Sequence, residues 1–304
     1  MRPVVITACT NRKRHAPDPS LVARSLPHAA IEQTCEEWIS RLARVREPRA
    51  RVQELYCGRA FQEALRASEA LQADFFVVSA GLGLVSARAS APSYSLTLAR
   101  SSEDCVLNGG SGSAQAWWAA LRSASPFHEG DVDRGGLILA ALSRPYLEMV
   151  AADWAHWPSQ RVRRLRLFCL DPPSSLPGVL AEQLMPYDAR LDALEGWAGT
   201  RGDFAQRALH HFAKNVAGVP ASASDHAAAV TSALAHCVTL PWPVRERRDD
   251  DEVTRLILRE WDAVEGRSGA MLRRLRRDLN IACEQGRFKE LFKRAAAQRQ
   301  GVLL

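Results

Sequence analysis

Several stretches of this 304-residue chain carry side chains able to do chemistry together. Cys9-Thr10-Asn11-Arg12-Lys13-Arg14 sets a hydroxyl, an amide and three cations directly behind an apolar run, a composition suited to a phosphate or to the amide edge of a base. Ser79-Ala-Gly-Leu-Gly adds a hydroxyl and two glycines, Gly81 and Gly83, that let backbone approach a ligand closely. Ser143 and Tyr146 follow a third apolar run, and Tyr94 lies in a hydroxyl-rich segment, Ala91-Pro-Ser-Tyr-Ser-Leu-Thr97. Carboxylates come from a separate cluster: Asp188 and Arg190, then Arg201, Asp203 and Arg207. On a helix begun near Gly202, Asp203 and Arg207 stand four residues apart and can pair. The cluster then reads either as a capped helix with a salt bridge or as a buried carboxylate held by arginines, as a hydrolytic site needs.

The same residues exclude other chemistries. Val4–Thr10 lacks glycine and no Gly-x-Gly-x-x-Gly opens the first helix, which argues against a dinucleotide fold. No Gly-Lys-Ser/Thr follows a glycine loop, which argues against a nucleotide triphosphatase. Seven scattered cysteines without a Cys-x-x-Cys pair point to a reducing cytoplasm, with neither a disulfide framework nor a structural zinc site. His210 and His211 are neighbours on an expected helix and project about 100° apart, poor geometry for a shared metal. No metal and no cofactor is expected. The opening segment is charged too early for a signal peptide, and no apolar run is long enough to span a membrane.

The elements that must position these residues alternate. Val4–Ala8, Phe75–Ser79, Leu137–Leu142 and Leu165–Cys169 read as buried strands. Helical stretches lie between them, roughly Ala29–Val45, Ala60–Ala73, Ala114–Ser123 and Tyr146–Trp157. This order predicts an α/β domain over 1–170, a mainly parallel sheet flanked by helices. Ligands of such sheets sit beyond the carboxyl ends of the strands, which selects the loops named above and Asp171 after the fourth strand. Ser101–Ser113, centred on Asn-Gly-Gly-Ser-Gly, reads as a flexible loop able to act as a lid.

Residues 171–243 read as a connector and helical extension completing the site, with helices over Arg201–Val216 and Asp225–Cys237 and a breaker at Pro241-Trp-Pro243. Residues 244–304 read as a basic helical module, with helices over Glu252–Glu265, Ala270–Leu279 and Glu284–Gln298. The net charge of +6 is uneven: Arg267–Leu304 holds ten basic and three acidic residues, so the first 266 residues sum to −1. Of 40 basic residues 36 are arginine, for which GC-rich codon usage is the plainer explanation. A charged helix is ordinarily a solvated face. Here Arg273, Arg274, Arg276 and Arg277 crowd one short helix of that tail, which favours contact with nucleic acid.

Four segments then carry a resemblance. Thr7-Ala-Cys-Thr-Asn-Arg-Lys13, Tyr56-Cys-Gly-Arg-Ala-Phe61, Val78-Ser-Ala-Gly-Leu-Gly-Leu-Val85 and Pro92-Ser-Tyr-Ser-Leu-Thr97 resemble, in that order, the motif set of the peroxide-stress protein YaaA and its relatives. The resemblance covers residues 4–100 and, loosely, 137–170. It departs at Thr10-Asn11, where many relatives carry Ser-Lys, and in the long basic C-terminal region. That family resembles DNA-binding proteins and domains associated with tRNA-guanine transglycosylases. A subset resembles bacteriophage-defence DNA glycosylases that remove glucosylated hydroxymethylcytosine and leave abasic sites.

The resemblance implies an antiviral DNA glycosylase without a cofactor, acting on phage DNA by flipping a modified base. On that reading Asp203, then Asp188, then Asp171 are the candidate carboxylates that stabilise an oxocarbenium-like sugar. Asn11, counted with Asp203 and Asp188 among the catalytic residues, reads the base, Tyr94 stacks on it, and Thr10, Ser79, Gly81, Gly83, Ser143 and Tyr146 line its pocket. Arg12, Lys13, Arg14, Arg59, Arg201, Arg273, Arg274, Arg276 and Arg277 meet phosphates. The alternatives are a non-catalytic DNA-binding protein and a nucleoside deoxyribosyltransferase-like enzyme. No membrane partner is expected, and the oligomeric state is left open.

Overall fold

The computed structural model describes residues 1–46, 48–109, 112–218, 221–239 and 244–302, which form two compact units, Met1–Leu240 and Pro241–Leu304. Pro241–Pro243, where a breaker is expected, lies outside the described residues.

In the first unit the elements run β1 (Arg2–Ala8), α1 (Ile31–Arg44), β2 (Arg49–Arg51), α2 (Val52–Leu55), α3 (Arg59–Ala70), β3 (Asp74–Ser79), β4 (Gly83–Ser86) and β5 (Ser90–Pro92). There follow α4 (Ala114–Ala124), β6 (Gly135–Ala141), α5 (Arg144–Ala155), α6 (Ser159–Arg163), β7 (Leu165–Phe168), α7 (Gly178–Ala181), α8 (Phe204–Asn215) and α9 (Ala223–Ala233). The fold class is α/β. One five-stranded sheet has the order β4-β3-β1-β6-β7, parallel throughout except for the edge strand β4. The four expected strands are its four parallel members.

The central strand explains itself. Val4, Val5 and Ile6 are fully buried, as a strand covered by helices on both faces must be. One layer pairs α3 with α8, and the other joins α1, α4 and α5. Helix α8 is pinned near the carboxyl end of the sheet, where Gln206 Nε2 donates to Thr7 Oγ1 at 3.2 Å and to the Ala141 carbonyl at 3.2 Å. The stretch after Leu170 therefore joins the sheet layer. Leu184 also bridges Leu167 of β7.

Strand β4 has no counterpart among the expected strands, because only Ala80-Gly81-Leu82 separates it from β3. The short ladder between β2 and β5 carries Tyr94 to the carboxyl edge. Ser101–Ser113 is not the free lid its composition suggests. Cys105, Val106 and Leu107 are buried, Cys105 bridges Thr97, and Arg100 Nη1 donates to the Leu107 carbonyl at 2.5 Å. Apolar side chains anchor the loop, with Gly110 and Ser111 outside the described residues.

The second unit packs α10 (Asp250–Arg259), α11 (Ser268–Arg277) and α12 (Gln285–Val302) around Val253, Ile257, Met271, Leu275, Phe288 and Leu291. Two-residue strands β8 (Glu246–Arg247) and β9 (Ile281–Ala282) pair in parallel beside them. Asp249 caps α10 reciprocally with Glu252, which explains where that helix starts.

Candidate functional site

Residues 10–14 are held, not loosely solvated. The Thr10 hydroxyl lies 2.9 Å from the Arg12 carbonyl and 3.0 Å from that of Cys57, Cys57 N donates to the Arg12 carbonyl, and Arg14 N donates to that of Leu55. The resulting bridge between Lys13 and Tyr56 turns the Lys13 side chain inward. Its Nζ lies 4.2 Å from the Tyr94 ring centroid and 5.6 Å from that of Tyr56, a cation–π arrangement. Burial pushes this amine below the ordinary lysine range, against the pull of Cys9 and Asp104. Lys13 thus departs from the expected phosphate contact, whereas Asn11, Arg12 and Arg14 are exposed.

Beside Lys13 three hydroxyls meet. Tyr94 Oη is 2.6 Å from Tyr56 Oη and 2.5 Å from Ser79 Oγ. Ser79 Oγ also accepts from Gly81 N at 3.1 Å and Leu82 N at 3.0 Å, so its own proton is free to be donated within the cluster. On the other side Cys9 Sγ lies 3.1 Å from Tyr146 Oη. Burial pushes the three phenols above their ordinary range and keeps them neutral.

The Ser79–Gly83 turn is clamped as well: Trp38 Nε1 donates to the Gly81 carbonyl at 2.7 Å and Trp117 Nε1 to that of Ala80 at 2.8 Å. The space the two glycines leave is taken by the protein itself. A Cβ on Gly81 would stand 2.5 Å from the Tyr94 ring, and one on Gly83 (φ +89°) 2.9 Å from His128 Nδ1. The expectation that they admit a ligand is corrected accordingly. Tyr94, only 1% exposed, is likewise an internal post and not an open stacking face. Ser143, at the start of α5, keeps an exposed hydroxyl.

Asp203 is linked to the same edge through Arg59. Arg59, immediately after the Cys57-Gly58 pair that Thr10 and Arg12 touch, places Nε 3.6 Å from Asp203 Oδ2 and donates from Nη2 to the Ala198 carbonyl at 2.6 Å. Asp203 Oδ1 accepts from Arg207 Nε at 2.7 Å and from Thr200 N at 2.9 Å, so the residue is at once a helix cap and half of a buried ion pair. Arg207, fully buried, also donates to Asp192 at 2.7 Å and to the Trp197 carbonyl at 2.5 Å. Asp188 caps a short turn and is gripped by Arg190 Nε at 2.9 and 3.0 Å, whose hydrogen bonds hold its carboxyl below the usual range. Asp171 pairs with Arg201.

One residue of this region escaped sequence reasoning. Glu63 is buried on α3, with Oε1 3.1 Å from Arg66 Nη1 and Oε2 2.6 Å from His210 Nδ1. The Arg59–Glu63 spacing of four residues was the available signal. The histidine doublet diverges, His210 to Glu63 and His211 to Tyr187.

In the second unit the arginine cluster divides. Arg274 Nε donates to Glu260 at 2.7 Å and Arg276 Nη2 to the Cys283 carbonyl at 2.7 Å, so both serve the fold. Arg273 and Arg277 are exposed, four residues apart on one face of α11, with no ion pair among the described residues. No described helix is long and apolar enough to cross a membrane. Compared with known proteins, the chain matches no protein-family model, no curated protein and no solved structure.

Proposed function

We propose that the protein is a DNA glycosylase that hydrolyses the N-glycosidic bond of a modified base, such as glucosylated hydroxymethylcytosine in phage DNA, and leaves an abasic site. One observation carries this reading. The four segments on which the resemblance rests converge at one sheet edge, through Thr10 on Cys57, Lys13 on Tyr94, and the contact of Tyr56, Ser79 and Tyr94.

Extruding the base costs a few kcal/mol, and phosphate contacts offset it. Arg12 and Arg14 beside the site and Arg273 and Arg277 on α11 are exposed cations that form no ion pair among the described residues. Departure of the base leaves positive charge on the sugar, which an ionised carboxylate stabilises while it aligns water. Asp203 suits that role through Oδ2, which faces only Arg59 Nε at 3.6 Å among the described residues, whereas Arg207 and Thr200 N occupy Oδ1. Asn11 and Ser143 are the exposed groups left to read the base.

A passive DNA-binding protein is the second reading, favoured by the arginine that holds each of Asp203, Asp188 and Asp171. The two separate on incubation with unmodified and glucosylated phage DNA followed by alkali. Strand breaks confined to the modified DNA support the glycosylase; binding without breaks supports the passive protein.

A further inference from the structure

Lys13 combines features that neither phosphate contact nor packing requires. The hydrogen bonds of Cys57 N and Arg14 N fix its backbone on both sides. Its amine is aimed at the faces of Tyr94 and Tyr56. Among the described residues its one polar contact is the Thr10 carbonyl at 3.5 Å. No carboxylate forms an ion pair with it among the described residues. Asp104, which acts on it through space, is engaged by Ser95 Oγ at 2.6 Å and by Arg24 N at 3.2 Å. The residue as a whole keeps part of its surface exposed. Lys214, Lys289 and Lys293, the other lysines of the chain, are all exposed.

We propose that Lys13 gives the protein a second activity: imine formation with the aldehyde of an abasic deoxyribose, followed by strand cleavage. The inference rests on the glycosylase reading in one respect, that the edge holding Lys13 receives the sugar of a DNA strand. The Nζ lone pair attacks C1′ of the open-chain sugar and water leaves, which forms the C1′–N double bond. A C2′ proton passes to solvent and the C3′–O bond breaks, its electron pair leaving with the phosphate. Hydrolysis of the imine returns the amine. Nothing is oxidised or reduced. A lysine whose amine burial has made easier to deprotonate is the usual instrument of such chemistry, because only the neutral amine attacks.

The test uses the full chain and an oligonucleotide duplex carrying a single abasic site, with sodium cyanoborohydride to reduce any imine and peptide mapping to locate it. The expected result is one covalent adduct on Lys13, cleavage at the abasic site without alkali, and loss of both in Lys13→Met. An adduct on the Met1 amine, Lys214, Lys289 or Lys293, or no adduct on the wild-type chain, overturns the inference whatever the variant's folding does. A parallel assay of base release from glucosylated DNA separates the two claims. Base release without a Lys13 adduct removes this inference alone; a Lys13 adduct without base release leaves it standing and removes the glycosylase reading.

Discussion

Tyr94 is engaged at its hydroxyl by Tyr56 and Ser79, on its face by Lys13, and at its edge by Trp38, whose ring centroid lies 5.9 Å away. Tyr94→Phe keeps the ring and removes the hydroxyl, leaving two buried hydroxyls short of a partner. The cost expected is about 1–3 kcal/mol, read as a lower denaturation midpoint with unchanged slope; an unchanged midpoint contradicts the buried cluster. A second residue-scale prediction concerns Asp133, which accepts from Arg164 at 2.7 and 2.5 Å and whose carboxyl those hydrogen bonds hold down at about 2. A folded-state value below the unfolded one means stability that is full above about pH 4 and fades as pH falls towards 2. Asp133→Asn is therefore expected to cost about 1–2 kcal/mol at pH 7 and only a small part of that near pH 2, checked by denaturation at both. The pairing of Asp203 with Arg207 was legible in the sequence because a helix fixes which residues four apart meet. The inward turn of Lys13 was not, since it depends on a bridge to Tyr56 from a distant segment.

At the scale of elements, the turn between β3 and β4 organises the site. Its carbonyls are tied to Trp38 and Trp117 and its amides to Ser79, so it cannot yield to an added side chain. Gly81→Ala is expected to cost about 1–3 kcal/mol in thermal or denaturant unfolding and to displace Tyr94, because the new methyl overlaps that ring. Full stability in that variant contradicts the described packing. The parallel strands were readable from their apolar runs, as fully buried strands are. β4 was not, because an edge strand after a three-residue turn leaves no periodic pattern of its own. The role of the glycines was misjudged for a related reason: sequence marks where backbone has room but not what fills it. The α11 arginines divide by helix face, which spacing suggests and only the positions of Glu260 and Cys283 decide.

Taken whole, the molecule divides into an α/β unit of net charge +2 and a helical one of net charge +4, in which ten basic residues follow Gly266 and eight acidic ones precede it. Many of those cations are spent internally, as in the pairs of Arg287 with Asp250, Arg294 with Asp251 and Arg299 with Asp262. Deleting residues 241–304 is expected to weaken duplex binding and flatten the dependence of log affinity on log salt by roughly 0.9 for every phosphate no longer neutralised. An unchanged slope contradicts the assigned role. The most direct test of the central claim is chromatographic detection of the base released from glucosylated phage DNA by the full chain. Free glucosylated hydroxymethylcytosine, matched one for one by the sum of abasic sites and strand breaks at them and missing from unmodified DNA, is the predicted result. DNA that is bound but keeps every base would contradict it.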